Sequence, residues 1–148
     1  MSNRSDQYPD VVEIVVEIPR GSRNKYEYDE DAGVFRLDRV LASAVHYNFD
    51  YGFIEGTRAG DGDHTDAMLL IDERTFPGCH VWARPVGVLR MADEKGIDFK
   101  VLCVALADPL YDYAMLSIRA KVAARSGLFG KGVAAAVRVP THPAALKS

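Results

Sequence analysis

The chain has 148 residues, 48% of them hydrophobic and 26% charged, which suits one water-soluble globular domain with a real core. No apolar run approaches membrane-spanning length, and the first seven residues hold no signal-peptide core, so a cytoplasmic protein with no membrane partner is expected. The net charge of -3 hides a break: 1–112 holds all 21 acidic residues against 12 basic ones and stands at -9, whereas 113–148 stands at +6. That break divides an expected barrel domain, 1–112, from a basic tail, 113–148. The body repels phosphate backbones, so nucleic acid is not an expected partner, and only the tail could bind it. His46, His64, His80 and His142 are scattered and give no zinc spacing with Cys79 and Cys103. The two cysteines read as buried thiols, with a single disulfide left open.

Residues 1–10 are polar and expected to be loose. Val11 to Ile18 is β-branched and alternating, a strand with Glu13 and Glu17 on one face and Val12, Ile14, Val16 and Ile18 on the other. A loop from Pro19 to Asn24 leads to a short strand, Lys25–Tyr28, with Lys25 and Glu27 on one face. Asp29–Gly33 reads as a hairpin turn and Val34–Asp38 as the return strand. Arg39 to Val45 reads as irregular or edge, and the aromatic run His46–Ile54 as a strand or a tight loop. A strand is expected to end near Asp72, and a turn at Phe76–Cys79 precedes a long strand from His80 to Arg90. Pro85 and Gly87 predict a bend or bulge there. Asp93–Gly96 turns, and Ile97–Leu106 is a further strand. About six strands with short turns and little helix suit a small antiparallel barrel.

Between the aromatic run and the next apolar strand lies Asp61-Gly-Asp-His-Thr-Asp66, three carboxylates in six residues with no Lys or Arg among them. In an extended chain Asp61 and Asp63 point to one side, and a turn can bring Asp66 to join them. Carboxylates this close repel one another and call for positive charge. Oxygen donors suit Mg²⁺ or Mn²⁺ with a phosphate-bearing substrate. Turn chemistry alone accounts equally for an acidic Asp-Gly segment on the surface. Asp66 and Asp72 stand where a calcium loop of the EF-hand type wants Gly and Glu, which argues against such a loop.

In a small barrel, distant strands line one surface. The candidates are Glu17, Lys25, Glu27, Arg39, Tyr47, Tyr51, Asp61, Asp63, Asp66, Asp93, Asp98 and Lys100. Carboxylates to hold metals, with Lys, Arg and Tyr to hold phosphate oxygens, form the set that metal-assisted phosphoryl transfer needs. Taken singly, pairs such as Lys25 with Glu27 or Asp98 with Lys100 read equally as surface ion pairs.

The order of these motifs resembles soluble inorganic pyrophosphatase of the first family. Val16-Glu-Ile-Pro19, Arg23-Asn-Lys-Tyr-Glu27, Leu37-Asp-Arg39 and Asp50-Tyr-Gly-Phe53 follow one another as in that family. Asp61-Gly-Asp-x-x-Asp66 is similar to its signature, and Arg84-Pro-Val-Gly-Val-Leu-Arg-Met-x-Asp-Glu94 with Asp98 and Lys100 continues in register. The resemblance covers 11–110 and implies a mainly β (α+β) fold: a five-stranded, oligonucleotide-binding-like closed barrel with few flanking helices. It implies Mg²⁺-dependent hydrolysis of pyrophosphate to two phosphates in a cytoplasmic hexamer; Mn²⁺ is the alternative to Mg²⁺ that the oxygen donors allow. Asp61, Asp66 and Asp98 would hold the tight metals, Asp93 a further one, and Glu17 would lie beside them. Asp63 or Asp98 would accept the proton of the attacking water. Lys25, Arg39, Tyr51 and Lys100 would hold phosphates, with Glu27 lining the same cavity.

Two departures stand out. Asn48 occupies the place of a proline in the aromatic segment, which frees φ there. After Asp112 the family's long amphipathic helix with a Tyr-Lys pair is missing, and no Tyr-Lys follows Tyr113. Residues 114–125 read instead as one basic helix ended by Gly127, followed by coil. The alternative function this suggests is a catalytically weak or dead relative that binds metal or phosphate.

Overall fold

A computed structural model of the protein describes residues 3–42, 47–58, 62–93, 96–109 and 134–138; the side chains of 91–93 and 134–138 are outside that description. The expected helix over 114–125 and the acidic residue Asp61 lie outside the described residues.

After a 3₁₀ turn at Ser5–Gln7, the described elements are strands: β1 Val12–Ile18, β2 Asn24–Asp29, β3 Val34–Val40, β4 Asp50–Ile54, β5 Thr65–Leu70, β6 His80–Asp93, β7 Gly96–Ala105 and β8 Ala134–Arg138. Five of them pair in the cycle β1-β4-β5-β7-β6, and β6 returns to β1, so the sheet closes into a ring. β2 and β3 form a separate hairpin. One pairing differs from the antiparallel barrel expected of the strand pattern: β5 and β7 run parallel. They are separated in sequence by β6, which forms an antiparallel pair with β7 and so delivers it alongside β5 in the same direction. A second difference is β8. The Ala- and Gly-rich segment expected as coil supplies a strand that pairs antiparallel with Val88–Ala92 of β6.

The core explains why these segments are strands. One apolar cluster draws on all five ring strands, including Val12, Ile14, Val16, Ile54, Leu69, Ala83 and Cys103, and so fills the ring's interior. A second cluster uses the opposite parity of β5 and β7, through Met68, Leu70, Leu102 and Val104, with Phe49, Val86 and Leu89. Both faces of β5 and β7 are therefore buried, which is why Ala67–Leu70 and Val101–Ala105 are unbroken apolar runs rather than alternating ones. Cys103 is buried and Cys79 half-buried, and both are free thiols.

Three ladder irregularities each leave one extra residue on a strand. Val86 is skipped between Pro85 and Gly87, where the sequence predicts a bend. Glu17 is skipped on β1 as the register passes from Val16–Gly52 to Ile18–Tyr51. Asp38 is skipped on β3 between Arg39–Lys25 and Leu37–Tyr26. Bulges of this kind re-aim a side chain, and the last two re-aim carboxylates. The loops beside them are pinned by Asp50, only 1% exposed. It accepts the Arg20 N–H at 2.8 Å, the Thr75 N–H at 2.8 Å and the Thr75 hydroxyl at 2.5 Å.

Candidate active site

An open cleft of about 230 Å³ is lined by Glu17, Glu27, Tyr28, Glu30, Phe53, Asp63, His64 and Asp66. The hairpin supplies Glu27, Tyr28 and Glu30, and the segment entering β5 supplies Asp63, His64 and Asp66. Glu17 comes from the bulge of β1, where its Oε2 accepts the Tyr28 N–H at 2.8 Å, tying the hairpin to the ring. Tyr28 also stacks on Phe53 of β4, centroid to centroid 5.7 Å.

Lys100 organises the acidic wall. Its Nζ lies 2.8 Å from Asp66 Oδ2 and 2.7 Å from Asp98 Oδ2, so one ammonium bridges two carboxylates from β5 and β7. Burial works to lower the pKa of Lys100, but Asp66 and then Asp98 outweigh it and hold the ammonium above its ordinary value. A pair of cations sits on the hairpin. The bulged Asp38 lies 3.3 Å from Lys25 Nζ and 3.0 Å from Arg39 Nε, and these contacts, Arg39 foremost, hold its carboxyl below the ordinary range. Lys25 and Arg39 face each other across the ladder, so one carboxylate keeps two cations side by side. Tyr47 meets Tyr51 edge-on at 5.0 Å, and burial pushes the pKa of the Tyr51 phenol well up. Burial raises the pKa of the Tyr47 phenol, Arg39 and Lys100 work against the rise, and Asp38 and Glu17 add to it.

A family model described as inorganic pyrophosphatase matches residues 14–124. The chain belongs to the inorganic pyrophosphatase family.

Among curated relatives, an inorganic pyrophosphatase of Synechocystis is 52% identical over 103 residues, 70% of this chain and 61% of the relative. One from Methanosarcina mazei is 54% identical over 100 residues, 68% of this chain and 59% of that protein. The chain thus spans about three fifths of the length of the curated relatives it matches. Among solved structures, the inorganic pyrophosphatase of Thermus thermophilus superposes with a TM-score of 0.70 at 39% identity, covering 93% of this chain and 85% of that one. A structure from Anaplasma phagocytophilum, described as an inorganic phosphatase, gives 0.69 at 34% identity, covering 99% and 91%.

Within this pyrophosphatase family member, the expected residues divide. Glu17, Glu27, Asp63 and Asp66 line the cleft. Asp98 and Lys100 join it through Asp66, while Lys25 and Arg39 are gathered on Asp38 and Tyr51 lies against Tyr47. Asp61 and the Asp93 side chain lie outside the described residues, and among the described residues no group of three metal-ligating side chains is assembled. Tyr28, Glu30, Arg58 and His64 are not among the residues that the sequence motifs single out. The two variable positions of the signature hid His64, and Glu30 looked like an ordinary turn residue. Asp38 lies within the Leu37-Asp-Arg39 motif without being among the candidates, and its place next to Arg39 on the return strand of a hairpin bearing Lys25 is a usable signal.

Glu17 carries a cost in the fold. Burial raises its pKa; the Tyr28 N–H works against this, and the charges of Asp66 and Glu27 add to the rise. A carboxyl whose folded pKa is raised destabilises the fold once pH exceeds its unfolded value, and the penalty is relieved as pH falls back through the folded value. Glu17→Gln keeps an acceptor for the Tyr28 N–H and removes the charge. In chelator at neutral pH, its thermal midpoint is expected to lie above that of the parent, with the advantage fading toward the ordinary glutamate pKa of 4.5. A scan of both proteins across pH checks this, and a lower midpoint for Glu17→Gln at neutral pH would contradict it.

Proposed function

We propose that this chain hydrolyses inorganic pyrophosphate to two phosphates with Mg²⁺, or Mn²⁺ in its place. The observation that carries the reading is Lys100, whose single ammonium draws the Asp66 and Asp98 carboxylates together beside a cleft that Asp66 itself lines. Two carboxylates that share one positive centre suit a shared cation, and an all-oxygen donor set suits a hard one. In this reading Asp61, Asp66 and Asp98 hold metal, with Asp93 and Glu17 beside them. Ions held there would supply charge neutralisation for the diphosphate and a lowered pKa for the attacking water.

The chain's own side chains do the rest. Asp63, on the cleft wall, takes the proton of the water that attacks one phosphorus; Asp98 is the second candidate for that proton. The bond from that phosphorus to the bridging oxygen breaks, and the second phosphate leaves. Lys25, Arg39 and Lys100 neutralise the phosphates, and protonated Tyr51 donates to them. Glu27 lines the same cavity. A cytoplasmic hexamer belongs to the same proposal, and exposed Leu37, Val40, Ile97 and Phe99 offer apolar surface that assembly would cover. No helix among the described residues is long and apolar enough to cross a membrane. The alternative of a weak or dead relative is not favoured, since relatives about half identical carry one name, inorganic pyrophosphatase.

The test is phosphate release from pyrophosphate at millimolar Mg²⁺. Chelator-sensitive release is expected. Absence of release across neutral pH with both Mg²⁺ and Mn²⁺ would overturn the reading.

A further inference from the structure

The tip of the β2–β3 hairpin is tied to the segment after β4 by Glu30 and Arg58, which lie outside the sequence motifs, and by His64, which fills a variable position of the acidic signature. Glu30 Oε1 lies 2.5 Å from Arg58 Nη2 and 3.5 Å from His64 Nε2. Arg58 Nη1 lies 2.6 Å from His64 Nδ1, and the imidazole stacks on Phe53 at 4.3 Å and 18°. Glu30 and His64 form part of the cleft wall, and Arg58 contacts both without itself lining the cleft. Glu30 and Arg58 are both about half exposed, and an ion pair of that kind contributes little to stability. Its effect lies in what it does to the guanidinium.

An arginine fork beside a diphosphate cleft is well suited to take a further phosphate. Here both arms of the fork are engaged, one by Glu30 and the other by His64. We propose that Glu30 is a specificity determinant: by engaging Arg58 at the cleft wall it denies a third phosphate the cation it would need. The proposal rests on the cleft receiving pyrophosphate. A linear triphosphate extending toward this wall meets the carboxylates of Glu27 and Glu30, while the nearby guanidinium is already engaged. Removing the Glu30 charge releases Arg58 as a phosphate ligand. Removing the Arg58 guanidinium leaves Glu30 bare against the polyanion. The two changes therefore act in opposite directions, which a merely structural tie would not do.

The experiment compares parent, Glu30→Gln and Arg58→Ala, with Mg²⁺ present. It reads kcat/KM for tripolyphosphate against pyrophosphate, and calorimetric binding of the imido analogues of triphosphate and diphosphate. Glu30→Gln is expected to raise the preference for the triphosphate about tenfold, as one added charge-assisted contact would. Arg58→Ala is expected to lower it below the parent, with thermal midpoints unchanged. Ratios that move in the same direction in both variants, or in neither, would overturn the proposal. If the parent releases no phosphate from pyrophosphate, the functional reading fails, and the binding ratios of the analogues still decide for or against Glu30.

Discussion

Asp66→Asn is expected to lower pyrophosphate turnover by about a hundredfold or more while leaving the fold intact, a loss of the size seen when one preorganised electrostatic contact is removed from a site. Asp66 is the residue at which the two halves of the site meet. It lines the cleft, holds Lys100 at 2.8 Å and acts electrostatically on Glu17. The amide keeps the shape and loses the charge that both a divalent cation and the Lys100 ammonium require. Lys100 retains Asp98 at 2.7 Å, so it is not left as an unpaired half-buried charge, and stability should change little. Steady-state phosphate release together with a thermal melt separates the two effects. Turnover within a few fold of the parent would remove Asp66 from the machinery.

Gly52→Ala is expected to destabilise the chain by about 3 kcal/mol, at the upper end of ordinary overpacking costs. Gly52 pairs with Val16 on the neighbouring strand, just before the skipped Glu17. A Cβ built there would stand 2.0 Å from the Val15 carbonyl oxygen and 2.9 Å from its carbon. Both are backbone atoms in the centre of the sheet, so neither can rotate away as a side-chain tip could. Relief requires β1 and β4 to separate at the bulge that aims Glu17 into the cleft. The loss should therefore appear twice, as a lower urea midpoint with an unchanged slope and as weakened catalysis in the protein that remains folded. An alanine variant matching the parent in both would mean that the two strands are not held this closely in solution.

Much of the ring could be read directly from the residues, because half-buried strands write their faces in alternating order. Glu13 and Glu17 opposed to Val12, Ile14, Val16 and Ile18 is the clearest case, and all four aliphatics are buried. Val15 is buried as well, at 3% exposure, although it shares the parity of the glutamates. Alternation within one strand does not report what the rest of the fold lays over its other face, nor which strands pair along its edges. The parallel β5–β7 pair was hidden for the same reason, since pairing direction depends on how the ring closes. β8 was missed because Ala134-Ala-Ala-Val-Arg138 carries little intrinsic strand preference and takes its form from the edge of β6. In the site, charged types at motif spacing were visible, whereas their partners were not. That Asp38 would serve both Lys25 and Arg39 depends on one skipped ladder position, and that Lys100 would join Asp66 to Asp98 depends on β5 lying beside β7. Glu30, Arg58 and His64 meet only after the hairpin folds over the ring.

The parallel seam between Ala67–Leu70 and Val101–Val104 also sets a schedule for biosynthesis. While the ribosome is still translating β6, β5 has only β4 beside it, and one side of its backbone remains available to any other extended chain. Closure waits until β7 has cleared the exit tunnel, and the segment exposed meanwhile, Ala67-Met-Leu-Leu70, is among the most apolar in the molecule. The nascent protein is thus most vulnerable to aggregation over the stretch of synthesis between these two strands, when a chaperone that shields extended apolar segments would matter most.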